Sequence, residues 1–143
     1  MAQAEVKEVL SVSKDQLLKT ITDYENYPKF VENVTKIRID KREGNTARVT
    51  YFVSLMKDVS YTLDLVADPE KGTVKWKLVE SDFFKKNDGG WEIKDAGASK
   101  CEARYYLDVE FKIPVPGFIL GKLVKGNLPG MVKGFEKQAK KAK

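Results

Sequence analysis

The chain has 143 residues, of which 42% are apolar and 33% charged, and its net charge is +5. This is the length of one domain, and the composition is that of a folded protein with a core rather than a disordered segment. With no histidine and a single cysteine, Cys101, it excludes Ser-His-Asp and Cys-His nucleophiles, histidine-based zinc sites, cysteine clusters and an internal disulfide.

The charge is uneven. Residues 120–143 carry seven lysines and one acid, Glu136, a net +6, so the remainder sums to −1. Such an end suits an anionic membrane or nucleic acid, or it is a solvated helix terminus whose lysines the helix dipole favours. Met1–Leu10 lacks the apolar stretch of a secretory signal. No apolar run approaches the ~18 residues of a membrane helix, and a cytoplasmic location is expected. No repeat or low-complexity linker interrupts the chain, which predicts one domain over residues 1–143.

In chain order, Ala4–Val12 predicts a first strand with Val6, Leu10 and Val12 on one face. Ser13 or Asp15 caps a helix whose apolar stripe is Leu17, Leu18 and Ile21. Asp23–Asn26 ends it, and Pro28 opens a second short helix, Pro28–Glu32. From Val34 the period becomes two. Strands are predicted at Thr35–Lys41, Thr46–Leu55, Ser60–Ala67 and Thr73–Glu80, with turns at Glu43–Asn45 and Asp68–Gly72. Asn87-Asp88-Gly89-Gly90 reads as another turn, leaving a short strand at Trp91–Lys94. Lys100–Ile113 is the longest strand, and Pro114–Gly117 ends the sheet. Phe118–Lys141 is then helical, with Leu120, Val124, Leu128, Met131, Phe135 and Ala139 spaced by three or four. The clean alternation predicts a sheet with one wet and one dry face, and the last helix must cover the dry one. The fold class is α+β: a curved antiparallel sheet of six to seven strands wrapped around a long C-terminal helix, with two short helices after the first strand.

This order resembles the START-like, helix-grip superfamily, and within it the polyketide cyclase/dehydrase and lipid-transport family. The segment Thr22-Asp23-Tyr24-Glu25-Asn26-Tyr27-Pro28-Lys29-Phe30 is similar to the family's D-Y-x-x-Y-P-x-F motif. Ser81–Phe84, Gly90-Trp91, Pro114–Gly117 and Met131–Glu136 resemble further family segments. The chain looks nearest to coenzyme Q-binding and ribosome-association toxin-like members. It departs from the coenzyme Q-binding pattern at Val31-Glu32-Asn33, where those members carry Pro and Trp. The resemblance implies a ligand cavity between sheet and C-terminal helix, with the Tyr24–Phe30 corner at its mouth.

Tyr51, Tyr61, Trp76, Trp91, Tyr105 and Phe111 share the dry parity with Leu63. They line such a cavity, or their rings fill an ordinary core. Tyr24, Tyr27 and Phe30, with Leu120, Val124, Leu128 and Met131 of the last helix, complete the candidate ligand-binding set. The Gly126-Pro129-Gly130 stretch is a lid hinge or a break between helices. Of the adjacent Phe83 and Phe84, one is expected to be exposed, where it touches a membrane or packs under a loop. Glu8 shares the parity of Val6 and Leu10, an inward carboxylate without a visible partner.

No catalytic residue, metal site or cofactor is assigned. The expected function is binding or transport of a hydrophobic small molecule, such as a lipid, isoprenoid quinone or polyketide. One alternative is an interaction module that meets a ribosome or anionic membrane through Lys133, Lys137, Lys140 and Lys141; DNA is not an expected partner. The other is a cyclase or dehydrase using an inward Tyr or Glu8 as acid–base, which the absence of histidine disfavours.

Overall fold

The computed structural model describes residues 2–31, 34–54, 58–112, 114, 117 and 128–141. Its elements are β1 (Ala2–Leu10), α1 (Lys14–Ile21), a 3-10 turn (Tyr24–Asn26), α2 (Tyr27–Phe30), β2 (Val34–Glu43), β3 (Thr46–Ser54), β4 (Asp58–Asp68), β5 (Thr73–Ser81), β6 (Phe84–Asp95), β7 (Cys101–Phe111) and α3 (Leu128–Lys141). The seven strands form one curved antiparallel sheet in the order β1-β7-β6-β5-β4-β3-β2. The predicted α+β helix-grip architecture is therefore present.

Local chemistry accounts for most boundaries. Ser13, not Asp15, caps α1: its hydroxyl accepts from the Gln16 amide at 3.1 Å, and the Gln16 side chain accepts from the Ser13 amide at 3.0 Å. This reciprocal pair satisfies two of the free N–H groups at the helix start. Leu17, Leu18 and Ile21 are buried below it. Gly44 and Gly72 turn the chain with φ of +59° and +69°. At Gly72 a Cβ would lie 2.2 Å from the Ile93 carbonyl oxygen, so only glycine fits there.

On α3, Leu128, Val132, Phe135 and Ala139 are buried, a stripe of helical spacing. It grips the concave face through Phe135, whose ring centre is 5.0–5.4 Å from those of Phe30, Trp91 and Tyr27. The described helix runs through Pro129 and Gly130. Residues 118–127, which include Leu120, Val124 and the Gly126 part of the expected hinge, lie outside the described residues.

Two expectations are corrected. Asn87–Gly90 is no turn, because β6 passes through it without interruption. The glycines are there for their neighbours. A Cβ on Gly89 would lie 2.7 Å from the Trp76 ring and 2.4 Å from the Tyr106 carbonyl oxygen. A Cβ on Gly90 would lie 2.6 Å from the Tyr106 hydroxyl. Each glycine is thus a flat place on the strand over which an aromatic ring lies. The second correction concerns Phe83 and Phe84, which are both buried, at 0% and 8% exposure. The Ser81 hydroxyl accepts from both of their amides, at 3.0 and 3.1 Å, and the β6–β7 register shifts between Phe84 and Lys86. The bend breaks strict alternation, so both rings turn inward and neither is free for a membrane.

The convex face is charged and paired. Arg104 bridges Glu5 and Glu92, Arg48 holds Asp64 with two hydrogen bonds, and Lys86 binds Asp108 at 2.8 Å.

Candidate ligand cavity

Between the concave face of the sheet, α2 and α3 lies a cavity of about 330 Å³. The strand register builds it. Tyr51 of β3 stands opposite Tyr61 of β4, and Trp91 of β6 opposite Tyr105 of β7. Tyr51 and Tyr61 are stacked, with ring centres 5.1 Å apart and planes 13° from parallel. Tyr105 packs against Trp76 and Trp91 at 5.4 and 5.1 Å.

The structure brings most of the candidate residues together. Tyr27, Phe30, Tyr51, Tyr61, Leu63, Trp76, Trp91, Tyr105, Phe111, Leu128 and Met131 all line the cavity. Tyr24 does not. It faces a separate cleft of about 240 Å³ with α1 and the β2–β3 turn, and the Arg42 guanidinium lies 5.4 Å from its ring centre. Tyr24 and Tyr27 are both buried and their ring centres lie 5.9 Å apart, but only Tyr27 reaches the cavity. Glu8 is half-buried but is not among the lining residues; its carboxylate lies 3.8 Å from the Lys133 ammonium on α3.

Other lining residues are not predicted by the sequence pattern. Phe84 was obscured by the bend at Ser81, and Phe135 belonged to the α3 stripe without being singled out as a ligand contact. Asn87 was hidden by its turn-like surroundings. Its side chain is buried, and its Oδ1 accepts from the Trp76 indole N–H at 3.3 Å.

The lining contains no Asp, Glu, Lys or Arg among the described residues. Its polar side-chain groups are the phenols, the Asn87 amide and the indole N–H groups of Trp76 and Trp91. The Tyr27 hydroxyl is committed: it donates to the Ile21 carbonyl at 2.6 Å, satisfying an otherwise free C=O at the end of α1. The hydroxyls of Tyr51, Tyr61 and Tyr105 have no hydrogen-bond partner among the described residues. Burial raises the pKa of each well above that of an ordinary tyrosine, Tyr51 being further opposed by neighbouring Tyr27, Tyr61 and Tyr105, and Tyr105 by Tyr61. All three are therefore neutral donors near pH 7. No group of three or more His, Cys, Asp or Glu able to hold a metal occurs among the described residues.

A family model described as polyketide cyclase / dehydrase and lipid transport matches residues 10–136. The chain belongs to that family. Within the polyketide cyclase/dehydrase and lipid transport family, it is similar to the ribosome association toxin RatA of Escherichia coli (strain K12). The two are 26% identical over 142 residues, covering 98% of this chain and 88% of the relative. Among solved structures, ZhuI aromatase/cyclase from Streptomyces sp. R1128 superimposes with a TM-score of 0.87 at 13% identity, covering 97% of this chain and 93% of its own. A START superfamily protein from Mycobacterium smegmatis superimposes with a TM-score of 0.86 at 21% identity, covering 99% of both chains. At these identities the structural likeness establishes the fold, and the helix-grip START-like assignment holds. No helix among the described residues is long and apolar enough to cross a membrane.

Proposed function

We propose that the chain binds a hydrophobic small molecule, of lipid, isoprenoid or polyketide-like character, in the cavity between sheet and α3. The observation that carries this reading is an aromatic-lined hollow of about 330 Å³ in which three tyrosine hydroxyls lack protein partners among the described residues. A space of this size is at the small end of ligand pockets, mostly apolar with a few polar groups, as such pockets are. Transfer of an apolar ligand into it is favoured by about 25 cal/mol per Å² removed from water. Among the described residues the lining offers no carboxylate, ammonium or imidazole to move a proton near pH 7, which favours binding over acid–base chemistry.

The test uses the protein's own reporters. The chain has two tryptophans, and both Trp76 and Trp91 line the cavity. Native mass spectrometry of freshly purified protein, followed by solvent extraction, identifies any bound molecule. Returning that molecule to stripped protein shifts or quenches tryptophan emission saturably. A bare mass, with no saturable change across neutral lipids and aromatic ketones, refutes the reading.

A second reading is favoured by the likeness to RatA, whose name describes ribosome association. On α3, Lys137, Lys140 and Lys141 are exposed and make no ion pair among the described residues, whereas Lys133 is held between Glu8 and Glu136. An interaction through these lysines weakens steeply with salt and is lost in a Lys137→Glu, Lys140→Glu, Lys141→Glu variant. Ribosome co-sedimentation that is unchanged in that variant and at high salt refutes it.

A further inference from the structure

We infer that the cleft beside Tyr24 is a second binding site, for a small organic carboxylate: a monoanion on a compact apolar body, held by Arg42, Lys19 and the Tyr24 hydroxyl. The cleft is separate from the cavity under α3, and the inference does not depend on that cavity binding anything.

The backbone aims Arg42 into this cleft. Strict alternation along β2 would put it on the convex face with Arg38, which reaches Thr50 there. The register shift between Ile39 and Lys41 moves it to the other face, opposite the buried Ala47. A bulge re-aims a side chain in this way. The guanidinium then lies 5.4 Å from the Tyr24 ring centre, and its Nη2 donates to the Thr22 carbonyl at 3.1 Å. That contact fixes the fork and leaves most of its N–H donors for a ligand. Neither Arg42 nor Lys19, which also lines the cleft, makes an ion pair among the described residues.

Tyr24 supplies the neutral donor. It is only 2% exposed, and its hydroxyl has no hydrogen-bond partner among the described residues. The oxygen is not sealed off, so it opens into the cleft. Burial lifts its pKa to about 12 against the opposing pull of Arg42, which keeps it protonated near pH 7.

The remaining walls define the ligand. Leu18, Ala47 and Ala67 are buried and give the cleft an apolar floor of about the size of one ring, within a space of about 240 Å³. The rim carries two cations, Lys19 and Arg42, and one acid, Asp15, a net +1 that matches a monoanion. A carboxylate meets the arginine fork with two parallel hydrogen bonds.

Three small molecules separate charge from apolar body: benzoate with both, acetate with the charge alone and benzyl alcohol with the body alone. In NMR titrations of the isotope-labelled full chain at pH 7 and low salt, the amides of Lys19, Thr22, Asn45 and Ala67 report the cleft. The indole N–H groups of Trp76 and Trp91 report the cavity. Benzoate is expected to shift the cleft amides saturably with a Kd of about 1 mM, and the other two to bind at least about tenfold more weakly. Arg42→Gln weakens benzoate about tenfold, and Lys19→Gln and Tyr24→Phe each about two- to fivefold, whereas Asp15→Asn strengthens it about twofold. Lys19 and Asp15 are exposed on α1, so their variants keep the fold and carry the test if Arg42→Gln does not. Benzyl alcohol binding as tightly as benzoate overturns the inference, as does a benzoate response confined to the tryptophan indoles. Absence of any saturable shift up to about 20 mM, or unchanged affinity in Lys19→Gln and Asp15→Asn, also overturns it.

Discussion

Tyr27 and Tyr51 are neighbouring rings, 6.0 Å apart, yet removing their hydroxyls should affect stability to very different extents. In Tyr27→Phe the ring remains and one buried hydrogen bond of 2.6 Å to the Ile21 carbonyl is lost. The carbonyl stays buried without its donor, which costs about 1–2 kcal/mol. For a chain of 143 residues, at about 2.1 cal/mol/K of unfolding entropy per residue, each kcal/mol moves Tm by about 3 °C. Tyr27→Phe should therefore melt about 3–6 °C lower. Tyr51→Phe removes a hydroxyl with no partner among the described residues, from a residue only 5% exposed. That hydroxyl borders the cavity, so its removal strands no buried partner and should leave Tm within about 2 °C of the wild type. The assay is thermal unfolding of the ligand-stripped protein at pH 7, followed by circular dichroism, with urea unfolding as a check that the m-value is unchanged. A loss in Tyr51→Phe equal to that in Tyr27→Phe would refute the reasoning, because it would mean that the Tyr51 hydroxyl is already satisfied within the fold.

All six tyrosines have raised pKa values, Tyr24 to about 12, in every case with burial as the largest cause. A tyrosine with a higher pKa in the fold than in the unfolded chain leaves stability untouched below pH ~10 and subtracts from it above, by up to about 1.4 kcal/mol per pH unit each. Absorbance at 295 nm should show no phenol titrating normally near pH 10, then a steep rise coincident with alkaline unfolding; a separate phenolate signal in the folded protein contradicts this. Gly89→Ala and Gly90→Ala each press a methyl group into an aromatic neighbour and should cost about 1–3 kcal/mol in urea unfolding. A neutral effect there would mean that β6 does not lie against Trp76 and Tyr106 as described. Glu136→Ala removes the carboxylate that accepts from the Ser11 amide at 2.6 Å and lies 4.0 Å from the Lys133 ammonium. It should lower stability by about 1–2 kcal/mol, as read by the urea midpoint; an unchanged midpoint shows that this contact does not anchor α3.

Periodicity made the architecture legible. Alternation in Thr46–Ser54 and Cys101–Phe111 identifies the strands and the face they bury, and hence most of the cavity wall. The errors arise where tertiary contacts override local chemistry. Asn-Asp-Gly-Gly has every local property of a turn, but the rings of Trp76 and Tyr106, distant in sequence, occupy the places where side chains would be. Adjacent Phe83 and Phe84 both face inward because one serine hydroxyl bends the chain, a device without a periodic signature. Tyr24 shares a motif with Tyr27, yet it lines another cleft. The state of the hydroxyls emerges only from hydrogen-bond partners: nothing in composition separates Tyr27, which is bonded to the Ile21 carbonyl, from Tyr51, which has no partner among the described residues.

The pairing of β1 with β7 sets the order in which the protein assembles. Leu10 is aligned with Cys101 and Ala2 with Val109, partners about 90 or more residues apart, while β2 to β7 follow one another as neighbours. During synthesis the meander from β2 onward has each partner at hand as it emerges, whereas β1 waits through nearly the whole of translation. Closing so long a loop is entropically slow, so docking of β1 is a late step. Until then the inner edge of β7 is unpaired and open to the β1 of another copy. Overexpression at high temperature should therefore favour strand-exchanged dimers, and a β1 peptide supplied in trans should suppress them.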